Sequence, residues 1–198
     1  MQFDQALIKL LAEGLRDTLI MVLISTIFGY LIGLPLGVVL TVTDKDGISP
    51  HPVIYKIIDL IVNILRSVPF LILLIMLIPF TKLVVGQSYG TKGTIVPLTV
   101  AAAPFIARLV EGSLKEVDAG VIEAAQSMGA TKGTIITKVL IGEARTSLLV
   151  GITIALGTIL GYSAMAGVVG GGGLGDNRGD NRRLATSRTS AGNFRVNL

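Results

Sequence analysis

The stretch TLIMVLISTIFGYLIGLPLGVVLTVT, residues 18–43, runs for 26 residues without a charge. A helix needs about 20 predominantly apolar residues to cross the hydrocarbon core of a bilayer, so the chain enters a membrane here with length to spare for tilt. Gly29, Gly33 and Gly37 recur every four residues within the stretch. That spacing lays a smooth stripe on one helix face, where the backbone of another helix can approach closely. Pro35 is expected to kink the helix in its second half.

The rest of the chain fits that start. Apolar residues make up 51% of the 198 and charged residues 15%, and the mean hydropathy is +0.75. An ordinary soluble domain of this size does not show that balance. The absence of cysteine rules out disulfides and thiolate metal sites. The net charge of +4 does not mark a nucleic-acid binder, because it is unevenly placed. Residues 1–175 hold twelve Lys or Arg against eleven Asp or Glu, whereas residues 176–198 hold five Arg and two Asp. The start carries Asp4, Glu13 and Asp17 and lacks the basic region and small-residue cleavage site of a secretory signal. The first span is therefore expected to be retained.

Three further apolar segments follow. Tyr55–Thr81 is interrupted by Asp59, Asn63 and Arg66, and its uncharged part, Ser67–Thr81, has only 15 residues. Asp59 and Arg66, seven apart, share a helix face and are expected to pair, softening the penalty of charge in the membrane. Thr94–Ala107 is short and carries Pro97 and Pro104, while Thr146–Gly175 has 30 uncharged residues. In the last, Gly157 and Gly161, with Ser147 and Gly151 above them, offer a second small-residue packing face. The fold class is an all-α polytopic helical bundle with four apparent spans.

Between the third and fourth spans lies a polar loop, residues 108–138, containing EVDAGVIEAAQSMGA. The Asp118 carboxylate can cap a helix start, and Gly129 can take the left-handed conformation that closes one. A helix of roughly ten residues in a loop between spans results. Small Ala124 and Ala125 beside Glu123, followed by Met128, would let it enter a groove on a partner.

Glu123-Ala124-Ala125, three residues, then Gly129 resembles the EAA signature of bacterial ATP-binding-cassette importer permeases. Where that signature continues to a proline, this chain has Gly142. Leu65-Arg66-Ser67-Val68-Pro69-Phe70, the stretch Val96–Arg108, and Gly161–Gly167 with the Gly-rich run behind it are similar to the methionine-type permeases of that family. The resemblance covers about residues 15–175. It implies that the loop is a coupling helix docking into an ATPase subunit through Glu123, Ala124, Ala125, Met128 and Gly129. It also implies a permease homodimer, two copies of a separate ATPase, an extracytoplasmic binding protein, methionine as cargo, and residence in a bacterial inner membrane. No Gly-x-x-x-x-Gly-Lys-Ser/Thr loop is present, so ATP and its Mg²⁺ are expected on the partner and no catalytic residue here. A bulky β-branched residue at Gly129 is expected to uncouple hydrolysis from uptake.

With the coupling loop cytoplasmic, the inner loops hold Lys45, Lys56, Arg108, Lys115, Lys132 and Lys138, and the outer segments Lys9, Arg16, Lys82 and Lys92. That agrees with the positive-inside rule, but a four-span chain would leave the five-Arg tail outside, against it. The family pattern has a fifth span. The tail at 176–198 is therefore expected to be foreign to it, through a shifted reading frame or a truncation. Tyr162, Ser163 and Met165 are candidates for the translocation path, with ordinary helix packing as the competing reading. Gly170, Gly172 and Gly175 match Gly-x-Gly-x-x-Gly, but without a strand before and a helix after the match means little. His51, the only histidine, offers no metal site or triad. An ion-driven transporter would leave the EAA loop unexplained, and an importer of another amino acid is the nearest alternative.

Overall fold

The computed structural model describes residues 2–175, with side chains from residue 8 onward; the tail and the expectations resting on it lie outside the described residues. The first helix, α1 (Gln2–Thr43), is continuous and runs through Pro35. Its large side chains point outward: Leu19, Leu23, Ile27 and Leu31 are each at least half exposed, while Met21, Ser25 and Leu40 are wholly buried. In a membrane the surroundings are as apolar as leucine, so helices gain by bringing small residues together and turning large ones to lipid.

The partner of the glycine stripe is α5 (Gly90–Lys115), the most enclosed helix of the bundle. A methyl group on Gly29 would lie 2.8 Å from the Ile106 side chain, on Gly33 2.7 Å from the Ala103 carbonyl, and on Gly37 2.6 Å from the Ala107 carbonyl. Gly29, Gly33 and Gly37 are thus the α1–α5 contact. The hydroxyl of Ser25 adds a hydrogen bond to the Ile95 carbonyl at 3.3 Å.

The second segment is not one straight span. It divides into α2 (Pro52–Ser67) and α3 (Phe70–Met76), bent by 101°. The cause is Pro69, which forces Val68 into extended backbone (φ −78°, ψ 123°) and ends α2. A short α4 (Ile78–Val85) follows. The third span is also longer than its uncharged core, because α5 carries Arg108, Glu111 and Lys115 within its last turns instead of ending before them. Among the described residues three helices have the length and composition to cross a membrane, or four if the bent pair counts as one.

Beyond α5 come α6 (Ala119–Ser127), α7 (Lys132–Thr134), a π-helical turn (Ile135–Leu140), α8 (Ile141–Glu143) and α9 (Arg145–Val168). Gly142 sits inside α8, which gives way to α9 at Ala144, two residues later. The buried face of α9 carries Gly151, Ala155, Ile159, Ser163 and Ala166. Gly157 and Gly161 lie on the other side with nothing within 4 Å among the described residues. Of the expected packing face, Ser147 and Gly151 meet α5 and α1, with Ser147 Oγ 3.0 Å from Ser113 Oγ, while helical phase turns Gly157 and Gly161 away from both helices.

The Gly-rich run after α9 folds back over the end of the bundle opposite α6. Gly90 N–H donates to the Gly170 carbonyl at 3.0 Å and Thr94 Oγ1 to the Gly171 carbonyl at 2.8 Å. Leu174 N–H donates to Thr18 Oγ1 at 3.0 Å. The run is preceded by a helix, so the dinucleotide reading is excluded. Thr94 is 3% exposed, and Thr94→Val would leave the Gly171 carbonyl without its donor. We expect a loss of about 1–3 kcal/mol, read as earlier thermal unfolding in detergent.

Candidate functional site

The helix α6 forms where sequence chemistry places it. Asp118, in extended backbone, accepts a hydrogen bond from Gly120 N–H at 2.7 Å, which satisfies a free donor of the first turn. At the other end Gly129 has φ +78°, with Gly129 N–H bonded to the Gln126 carbonyl and Ala130 N–H to the Ala125 carbonyl. These left-handed bonds close the helix.

Ala125 is buried and Ile122 packs against the main core, seating α6 over the π-helical turn. Glu123 and Ala124 face outward, as do Val121 and Met128, which is 81% exposed. Val121, Ala124 and Met128 stand at i, i+3 and i+7 on one face, an apolar ridge that nothing covers among the described residues. An open groove of about 580 Å³ runs beside it, lined in part by Asp44, Ile48, Lys115, Glu123 and Gln126.

At the base of α6 the last two turns of α5 hold a chain of ion pairs. The Arg108 guanidinium pairs with Asp59 of α2 and, at 2.5 Å, with Glu111. Arg108 also donates to Asn63 Oδ1 at 2.9 Å. Lys115 donates to Glu111 at 2.8 Å and pairs with Asp44, just past the end of α1, at 2.6 Å. The Glu111 side chain is 6% exposed, and the Tyr55 hydroxyl reaches it at 3.5 Å. The hydrogen bond from Lys115, opposed by burial and aided by Lys45 N–H, holds the Asp44 carboxyl below the usual carboxylate range. The expected Asp59–Arg66 pairing is corrected: Arg66 is exposed, while Arg108 from the neighbouring helix reaches Asp59.

Sequence reading assigned Arg108 and Lys115 to a loop and missed Asp44, Tyr55 and Glu111. The available signal was the alternation of sign at Arg108, Glu111 and Lys115, spaced three and four apart on one helix face.

The residues expected along the translocation path point three ways. Tyr162 stacks on Phe70 with ring centroids 4.8 Å apart. Ser163 is buried and donates to the Leu160 carbonyl of its own helix at 2.7 Å. Met165 faces outward, half exposed, on the same side of α9 as Gly157 and Gly161.

Residues 29–182 match the family of binding-protein-dependent transport system inner membrane components. The chain is 52% identical over 167 residues to a probable D-methionine transport system permease protein of Vibrio cholerae, covering 84% of this chain and 74% of the relative. With the D-methionine transport system permease protein of Escherichia coli K12 the identity is 51% over 164 residues, covering 83% and 76%. Its fold is similar to a chain of the MetNI methionine ABC transporter in an inward-facing conformation, with a TM-score of 0.83, 52% identity, and 84% and 77% of the two chains covered. A 21% identical chain of an amino acid ABC transporter shares the fold at a TM-score of 0.73.

Proposed function

The chain belongs to the family of binding-protein-dependent transport system inner membrane components, and on that footing we propose that it is the membrane-spanning permease subunit of an ATP-driven methionine importer. The observation that carries the reading is its identity of 51–52% over 164–167 residues to permeases named for D-methionine.

The division of labour follows from the residues. The sequence has no phosphate-binding loop, so ATP and Mg²⁺ belong to a separate ATPase and this chain transduces. The uncovered ridge of Val121, Ala124 and Met128, flanked by Glu123 and seated on Ala125, is the surface offered to that subunit. Movement of the ATPase pair is delivered to α6, which is short, capped at both ends and packed on the π-helical turn, and so moves as a rigid lever. A second copy of the chain completes the path, with the uncovered α9 face of Gly157, Gly161 and Met165 beside Tyr162 as its lining. Ser163 holds that turn of α9 from within. An extracytoplasmic binding protein delivers substrate to the end closed by the Gly-rich run.

The test is ATP-dependent uptake of labelled methionine by vesicles holding this chain, its ATPase and its binding protein. Uptake that requires all three and ATP is the expected result. Uptake of another amino acid in preference to methionine would overturn the cargo, and uptake driven by an ion gradient without ATP would overturn the class.

A further inference from the structure

We propose that the ion chain Asp59–Arg108–Glu111–Lys115–Asp44 is a transmission clamp, fastening the base of α5 to α1 and α2 so that a push on α6 moves three helices as one body. The proposal rests on the coupling role given to α6 above.

The geometry gives the reason. Only Glu116, Val117 and Asp118 separate the end of α5 from α6, so force arriving at α6 enters the bundle through the last turns of α5. Those turns carry Arg108, Glu111 and Lys115. From Arg108 the chain crosses to α2 through Asp59 and Asn63, and from Lys115 it crosses to Asp44 at the end of α1. Glu111 joins the two halves, accepting from Arg108 with one oxygen and from Lys115 with the other.

Val110 and Leu114 already pack these turns of α5 into the main core, but toward α2 the apolar packing is slighter, a separate small core of Leu40, Val62 and Ala107 with Leu36, Tyr55 and Ile58 against it. Apolar contacts slide, whereas bidentate and charge-assisted hydrogen bonds fix direction as well as distance. Bundles intended only to be stable in lipid have no need of three acids and two bases at a helix junction, where charge burial is penalised. The arrangement suits a junction that must hold its angle under load.

The experiment compares Asp59→Asn and Asp59→Glu, at one end of the chain, and Lys115→Gln, at the other, in vesicles with the ATPase and binding protein. Lys115 lies at the rim of the ion chain, its side chain 42% exposed, and thermal unfolding in detergent is recorded for every variant so that loss of fold is told apart from loss of coupling. Methionine uptake and ATP hydrolysis are measured on the same vesicles. Asp59→Asn and Lys115→Gln are expected to raise the ATP hydrolysed per methionine carried by about fivefold or more, and Asp59→Glu to stay near the parent. A merely structural role would lower both rates together and leave the ratio unchanged, which would overturn the clamp. Gly129→Val is run beside them. If it raises the ratio while the Asp59 and Lys115 variants do not, the clamp fails and the coupling reading of α6 stands. If none of them raises it, the coupling reading fails and takes the clamp with it.

Discussion

Gly37→Ala is expected to destabilise the bundle by about 1–3 kcal/mol, the range of overpacked cores, although it adds a single methyl group. The methyl would stand 2.6 Å from the Ala107 carbonyl oxygen and 2.7 Å from Val110 Cβ. Neither atom is the end of a flexible side chain. Relief requires α5 to back away from α1, and α5 is the helix that both α1 and α9 pack against. Separation by a few tenths of an ångström would also weaken the contacts at Gly29 and Gly33 on the same stripe. The measurement is thermal unfolding of the purified chain in detergent, with Gly157→Ala as comparison. That site has nothing within 4 Å among the described residues, so its effect on unfolding is expected to stay within about 0.5 kcal/mol. An equal effect of the two substitutions would count against the α1–α5 contact as the main seam.

The same contrast shows what the sequence could reveal. A four-residue recurrence of glycine marks a face, and at Gly29, Gly33 and Gly37 that face meets α5. At Gly157 and Gly161 the identical spacing marks a face with no partner among the described residues. Spacing names a face but carries no information about which helix covers it.

Long uncharged runs placed α1 and α9 well, because lipid demands them. The end of α5 was hidden for the same reason. A rule that stops a span at its first charge cannot see that Arg108, Glu111 and Lys115 answer one another and draw partners from Asp44 and Asp59. The break at Val68–Pro69 had a local signal in the proline, while the 101° bend depends on where α3 finds its packing. The site was legible where its chemistry is local. Asp118, the EAA run and Gly129 all act within one short helix. The ionic junction joins residues up to 71 positions apart, Asp44 to Lys115, and only the fold brings them together.

Gly129→Val is expected to leave ATP hydrolysis near the parent rate while lowering methionine uptake by about tenfold or more, equivalent to at least about 1.4 kcal/mol of lost coupling. Space is not the obstacle, since among the described residues nothing lies within 4 Å of a methyl group at this position. The obstacle is φ +78°, where an L side chain costs roughly 1–2 kcal/mol and a β-branched one more. Valine relieves that strain by moving φ to negative values. The Gly129 N–H bond to Gln126 and the Ala130 N–H bond to Ala125, which close α6, are then lost. The helix end frays or runs on, and Met128 leaves the ridge it shares with Val121 and Ala124. The ATPase still turns over, but its movement reaches a soft lever. Because the effect is one of backbone conformation and not of volume, Gly129→Asn, which tolerates the left-handed region, is expected to retain most of the coupling. Gly129→Ala, smaller than asparagine yet less tolerant of that region, is expected to retain less. The order Gly, Asn, Ala, Val in methionine carried per ATP would follow backbone preference; the order Gly, Ala, then the larger residues would instead point to a clash with the partner and remove the cap from the mechanism.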